Sequence, residues 1–177
     1  MIVIYTPIAS LDDVDLESLY DSSIETLEQS YMWWPEHTTT PEQKKSFFIN
    51  VFRAASHEGF GGGVFSRENF FAFKAQIDGV DSLLSAGFVD ESGTFHCMWY
   101  LSKPDSTGSR NWLYATAYDE HALYRSQGIT ALRIVTFDDA QIARNIRMRA
   151  AAGAVTILDK IILDDVQVAY LLKVNEA

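Results

Sequence analysis

Residues 70–104 constrain the fold most. Three apolar, strand-prone segments, NFFAFKAQID, SLLSAGFVD and TFHCMWYLS, follow one another with very short breaks. Asp78-Gly79 is a tight-turn signal at the first break, Glu91-Ser92-Gly93 fills the second, and Lys103-Pro104 ends the third. Links this short can join only antiparallel neighbours, so the segment predicts a three-stranded meander.

The flanks set what the meander sits among. IVIYT (residues 2–6) reads as a strand. SLDDVDLESLYDSSIETLEQSYMWW reads as a helix with Ser10 or Asp12 at its start and Val14, Leu16, Leu19, Ile24 and Leu27 at helical spacing; Pro35 ends it. In TTPEQKKSFFINVFRAAS, Thr40 is placed to cap, Pro41 takes the first helical position, and Glu42 and Gln43 fall in the first turn. Phe47, Phe48, Val51 and Phe52 form its apolar face, and the glycine-dense HEGFGGGVFS is a loop.

After the meander, DSTGSRNWLYATAYDEHALYRSQG reads as a loop and a helix burying Leu113, Ala117, Tyr118, His121 and Ala122. ITALRIVTF is a strand. DDAQIARNIRMRAAAGA is a helix that begins at Asp138 or Asp139 and stops at Gly153. VTILDKIIL and VQVAYLLKV close the chain as a hairpin turning around Asp164-Asp165. The order is β-α-α-β-β-β-α-β-α-β-β. The helical crossover makes the fourth and fifth strands parallel neighbours. The expectation is one α/β (α+β) domain over residues 1–177, built on a mixed sheet.

Charge narrows the partners. A formal net charge of -10 on 177 residues repels nucleic acid and anionic lipid, so neither is expected as a general partner. No apolar run reaches the length of a membrane helix, and MIVIYTPIASLDD turns acidic at once, unlike a signal peptide. A cytoplasmic protein is expected. Cys97 is the single cysteine, which excludes an internal disulfide. His37, His57, His96 and His121 lack metal-ligand spacing, so no metal is expected.

The element order resembles the GNAT, or acyl-CoA N-acyltransferase, superfamily over nearly the whole chain. NIRMRAAAGAVTI, Asn145 to Ile157, is similar to the helix-Gly-strand junction where members usually show Gly-Phe; Ala154 replaces Phe here. The same junction is similar to that of small GNAT-like proteins of tailed phages, including internal virion proteins, which can keep the fold without known transferase activity. The resemblance thus implies an acyl-CoA-dependent N-acyltransferase with acetyl-CoA or CoA as cofactor and a small-molecule or protein amine as acceptor. Its alternative is an inactive phage structural or protein-interaction module in the host cytoplasm or virion.

YRSQGI (Tyr124 to Ile129) looks like the family's Arg-x-x-Gly-x-Gly/Ala pyrophosphate loop. That loop must precede a helix, because free N–H groups and the positive dipole end converge there. YRSQGI instead follows a helix, so Gly128 is read as a left-handed helix stop. The segment in the right place is PDSTGSRNWL. There the candidate cofactor-binding residues are Ser106, Thr107, Gly108, Ser109 and Arg110, with Asp105 where the family has Gln or Arg. The same segment also reads as an ordinary helix start capped by Ser106 or Thr107.

For chemistry, His96 on the third meander strand is the candidate catalytic base; a strand histidine with an ordinary hydrogen bond is the alternative. The family's Tyr acid falls at Arg149 here, and the Asn that opens that helix falls at Ile142. Arg144, Arg147 and Arg149 either balance acidic neighbours or line a phosphate pocket. His121 and Tyr124 read as packing or surface residues, and the aromatic group YMWWPEH (31–37) as core, interface or acceptor site.

Overall fold

The computed structural model describes residues 1–30, 35–138 and 140–176; for residues 25–30 and Gln141 only the backbone is described. The strands are β1 (Val3–Pro7), β2 (Phe70–Ile77), β3 (Val80–Val89), β4 (Thr94–Ser102), β5 (Ala131–Phe137), β6 (Val155–Ile162) and β7 (Gln167–Val174). They form one mixed sheet in the order β1-β2-β3-β4-β5-β7-β6. The meander is present, and every neighbouring pair is antiparallel except β4 and β5, which run parallel as the helical crossover requires.

Helices cover both faces. On one, α1 (Leu16–Ser30) and α2 (Pro41–Glu58) bury Leu19, Phe48 and Phe52 against Leu84, Phe88 and Trp99. On the other, α3 (Trp112–Ala115), α4 (Ala117–Ser126) and α5 (Gln141–Ala151) close over Phe73, Phe95, Tyr170 and Leu172. The high aromatic content is spent largely in these cores: Trp99 stacks on Phe52 at 4.7 Å, and Phe65 stacks on Phe88 at 5.1 Å.

Local chemistry explains most element ends. Thr40 and Gln43 make a reciprocal capping box with Pro41 behind them. Gly128 (φ 74) ends α4 with the paired bonds Gly128 N–H to Arg125 O and Ile129 N–H to Tyr124 O, each 3.0 Å. Gly153 (φ 79) repeats the device on α5.

Four local expectations change. Ser10 caps a single 3-10 turn (Leu11–Asp13), and α1 is capped by Asp15, whose Oδ1 accepts the Ser18 N–H at 3.1 Å. The central helix breaks at Thr116, where Thr116 Oγ1 bonds back to Trp112 O at 2.8 Å. The break rotates the following turns, so Tyr118 and Ala122 are exposed while Glu120 and Tyr124 are buried. Asp138 does not cap α5; its carboxylate binds Lys160 at 2.9 Å. Asp139 lies outside the described residues, as do Tyr31 to Trp34 of the aromatic group.

Candidate functional site

A cleft opens where β4 and β5 part. The two strands pair only from Thr94 to Cys97 against Ala131 to Ile134. Beyond that, β4 runs on to Ser102 and β5 to Phe137 without pairing to each other. A bulge starts the divergence. Gly87 faces Cys97 and Ala86 faces Trp99, leaving Met98 as the extra residue. A bulge bends its strand and increases the local twist. Gly87 is needed here, because a Cβ at that position would stand 1.9 Å from His96 O.

The cleft is open to solvent, with about 940 Å³ of atom-free space in it and at its mouth. Its walls are largely apolar, with Met98, Trp99, Ile134, Val135, Ile142 and Ile146 among them. Its polar groups are Cys97, Tyr100, Glu120, Tyr124, Asn145 and Arg149.

Most of those polar groups form one buried network. Arg149 Nη2 stands 2.8 Å from Glu120 Oε2, on a residue only 1% exposed. The same guanidinium reaches Tyr100 Oη at 3.4 Å, Leu113 O at 3.3 Å and His121 Nε2 at 3.4 Å. Tyr124 donates to Glu120 Oε1 at 3.2 Å. Arginine has donors only, so His121 Nε2 accepts and the ring is neutral with its proton on Nδ1. Tyr114 on α3 donates to Asn145 on α5 across the rim of this layer.

Burial sets the protonation of the network. It raises the Tyr100 and Tyr124 hydroxyls well above the usual phenol range, with Glu120 adding to the effect, so both stay protonated. It pushes the Cys97 thiol up to about 12, so this cysteine is neutral and unreactive near pH 7. It holds His121 down at about 4. Burial opposes the Arg149 cation too, but Glu120 outweighs it and the guanidinium stays charged.

The expected site residues fall in different places. His96 is not among the cleft-lining residues. Its Nε2 meets Asp90 Oδ2 at 2.8 Å, and its ring lies 5.0 Å from Phe65. Partial burial of Asp90 favours its neutral acid, yet bonds from Ser92, His96 and Thr94 outweigh this and hold the carboxyl at about 2. The pair therefore closes the β3–β4 turn.

Ser106, Thr107, Gly108, Ser109 and Arg110 lie together at the end of β4, on the side where the strands part. The backbone N–H groups of Thr107, Gly108 and Ser109 are turned inward. Asp105 Oδ1 accepts Thr107 N–H at 2.8 Å, Thr107 Oγ1–H at 2.6 Å and Ser109 N–H at 3.1 Å. Gly108 N–H bonds Asp105 O at 2.9 Å. Neither Ser106 nor Thr107 caps the helix; α3 starts at Trp112, after Asn111, which makes no side-chain cap. Arg110 points into the protein and donates to Ser22 O at 2.8 Å and Ser102 O at 3.1 Å.

Of the arginines on α5, Arg147 faces Asp138 and Tyr170, and Arg149 enters the cleft. Glu120 belongs to no motif in the sequence. Its signal was positional: it is a carboxylate between Ala117 and Tyr124 on a helical stripe, a place that requires a buried cation. Among the described residues no group of His, Cys, Asp and Glu could hold a metal ion, and no helix is long and apolar enough to cross a membrane.

No protein-family model and no curated protein matches the chain by sequence. Solved structures do match. The ribosomal L7/L12 alpha-N-protein acetyltransferase RimL, in complex with coenzyme A, superposes with TM-score 0.60 at 13% identity over 98% of this chain and 95% of its own. The ribosomal-protein-S18-alanine N-acetyltransferase of Escherichia coli gives 0.54 at 10% identity, covering 99% and 96%. The PaiA N-acetyltransferase of Thermoplasma acidophilum, in complex with coenzyme A, gives 0.50 at 11%, covering 99% of each. The seven-stranded mixed sheet with its parted central strands, flanked on both faces by helices, is therefore the fold of the GNAT acetyltransferases.

Proposed function

We propose that this protein is an acyl-CoA-dependent N-acyltransferase that modifies a primary amine. The observation that carries the reading is the parting of β4 and β5 beyond Cys97, which leaves an apolar slot with a polar floor in mid-sheet. The strand edges facing that slot are unpaired with each other. An extended arm with its own amides fits such an edge as an added strand would.

When bound, the donor supplies an activated thioester carbonyl. Tyr100 holds a proton at Oη inside the cleft, where a departing sulfur can take it. Arg149 keeps that hydroxyl in place and adds positive charge against the developing thiolate; it is a positioning and electrostatic residue, since guanidinium does not give up its proton. Glu120 is held by Arg149 and Tyr124 and is not free to act as base. The attacking amine therefore enters already neutral, and the proton its nitrogen sheds as the amide forms replaces the one Tyr100 gave to the sulfur, so free thiol leaves and Tyr100 ends protonated.

The arm of the donor fits this site; its diphosphate fits poorly. The loop Ser106–Arg110 stands at the nucleotide end, but the amides of Thr107, Gly108 and Ser109 are engaged by Asp105. The neighbours include protein alpha-amine acetyltransferases, and an acidic surface favours a cationic acceptor, so a protein N-terminus is the first acceptor to try.

Calorimetric titration with acetyl-CoA, followed by thiol release with a panel of peptide N-termini and small amines, tests the proposal. Binding with amine-dependent thiol release supports it. Binding without release at any amine indicates the non-catalytic alternative. The absence of binding at millimolar acetyl-CoA overturns it.

A further inference from the structure

We infer that Asp105 is a built-in anion that takes the place of a donor phosphate, so that the protein selects its acyl donor by the pantetheine arm and gains almost nothing from the nucleotide. The inference rests on the proposed transferase reading. It names the donor class more closely: acyl thioesters of a pantetheine-type arm, with or without a nucleotide attached.

Three observations converge on it. First, the Asp105 carboxylate accepts two backbone N–H groups and one hydroxyl from its own loop, the same turn that Asp90 makes with Ser92 and Thr94, and so occupies donors that a diphosphate would need here. Those bonds, the Thr107 hydroxyl first among them, hold Asp105 below the usual carboxylate range, so the charge is permanent near neutral pH. A diphosphate arriving here meets a like charge and occupied amides.

Second, the one cation of the loop is committed elsewhere. Arg110 donates to Ser22 O, Ser102 O and Ser102 Oγ, tying the end of β4 to α1. Turning it outward would give up those bonds, leaving Ser102 O with the Ser23 hydroxyl at 3.0 Å.

Third, the helix behind the loop is short. α3 spans Trp112–Ala115, four residues, before the break at Thr116. A macrodipole needs a longer run of aligned peptides, so the usual pull of a helix start on an anion is weak here. The cleft keeps its own attraction, because its apolar walls and unpaired strand edges act on the arm alone.

Isothermal titration of the full chain with acetyl-CoA, acetyl-pantetheine and adenosine 3′,5′-bisphosphate tests this. The wild type is expected to bind acetyl-CoA and acetyl-pantetheine within about threefold of each other, and the bisphosphate not measurably. Asp105→Asn keeps the acceptor geometry and drops the charge. Asp105→Gly also frees the amides. Each should tighten acetyl-CoA relative to acetyl-pantetheine, Asp105→Gly by about tenfold or more, and the gain should shrink with added salt. Should Asp105→Gly unfold, Asp105→Asn carries the comparison alone. Wild-type preference for acetyl-CoA by about thirtyfold or more overturns the inference and leaves the transferase reading intact. Unchanged ligand ratios in both variants also overturn it. If neither thioester binds, the transferase reading falls and this inference with it.

Discussion

Arg149 on α5 and Glu120 on α4 meet at 2.8 Å beneath the cleft, with Glu120 1% exposed and the Arg149 side chain 12% exposed. The pair joins two helices that share no other described ion pair and sets the floor on which Tyr100 rests. Removing one partner leaves a buried charge without a counterion. Arg149→Met should therefore lose about 3–5 kcal/mol of stability by urea unfolding. The double variant Arg149→Met, Glu120→Met should recover most of that, because two apolar side chains of similar length replace the pair. A double variant as unstable as Arg149→Met would mean that packing rather than charge dominates at this site.

Gly128 gives a second test. Its φ of 74° and its two capping bonds make it the stop of α4, despite the likeness of YRSQGI to a phosphate loop. Gly128→Ala should cost about 1 kcal/mol of stability, since a Cβ disfavours the left-handed region. Affinity for acetyl-CoA should stay within about twofold. A loss of affinity with unchanged stability would return the cofactor loop to YRSQGI.

These two cases show what the sequence disclosed. Thr40, Gln43, Gly128 and Gly153 act through neighbours within a few positions, and each was legible from its local pattern. The meander was legible because two short turns admit one pairing. Glu120 was not legible, because its partner lies on another helix and the break at Thr116 changes which face is buried. Asp105 stands where the resemblance expects Gln or Arg. The structure shows it filling the loop from inside, and that depends on backbone angles that residue identity does not reveal. The cleft depends on a one-residue bulge at Met98, and nothing in TFHCMWYLS marks it.

Proton handling separates Tyr100 from His96. If Tyr100 protonates the leaving sulfur, Tyr100→Phe should lower kcat by about a hundredfold with KM little changed. His96→Gln should keep kcat within about threefold, because its ring serves the Asp90 turn and does not line the cleft. With no free base among the described residues that line the cleft, the wild-type rate below the acceptor's pKa should rise about tenfold per pH unit, following the neutral amine. A pH profile that loses an inflection near neutral pH in His96→Gln would make His96 the base after all.

His121 links the same network to acid stability. The ring is fully buried, and desolvation holds its pKa at about 4, against an ordinary value of 6.5. Glu120 favours the charged ring and Arg149 opposes it, so the depression survives both. The folded state thus binds a proton here less readily than the unfolded chain. Stability from this residue is complete above about pH 6.5 and is lost progressively as pH falls towards about 4. At about 1.4 kcal/mol per pH unit, the loss approaches 3 kcal/mol. Asp90, held at about 2, adds its own loss only below the ordinary carboxylate range, so the two windows do not overlap. Urea unfolding between pH 7 and pH 4 should show this slope in the wild type and not in His121→Asn, which cannot titrate there. Equal slopes in the two proteins would place the acid sensitivity elsewhere in the fold.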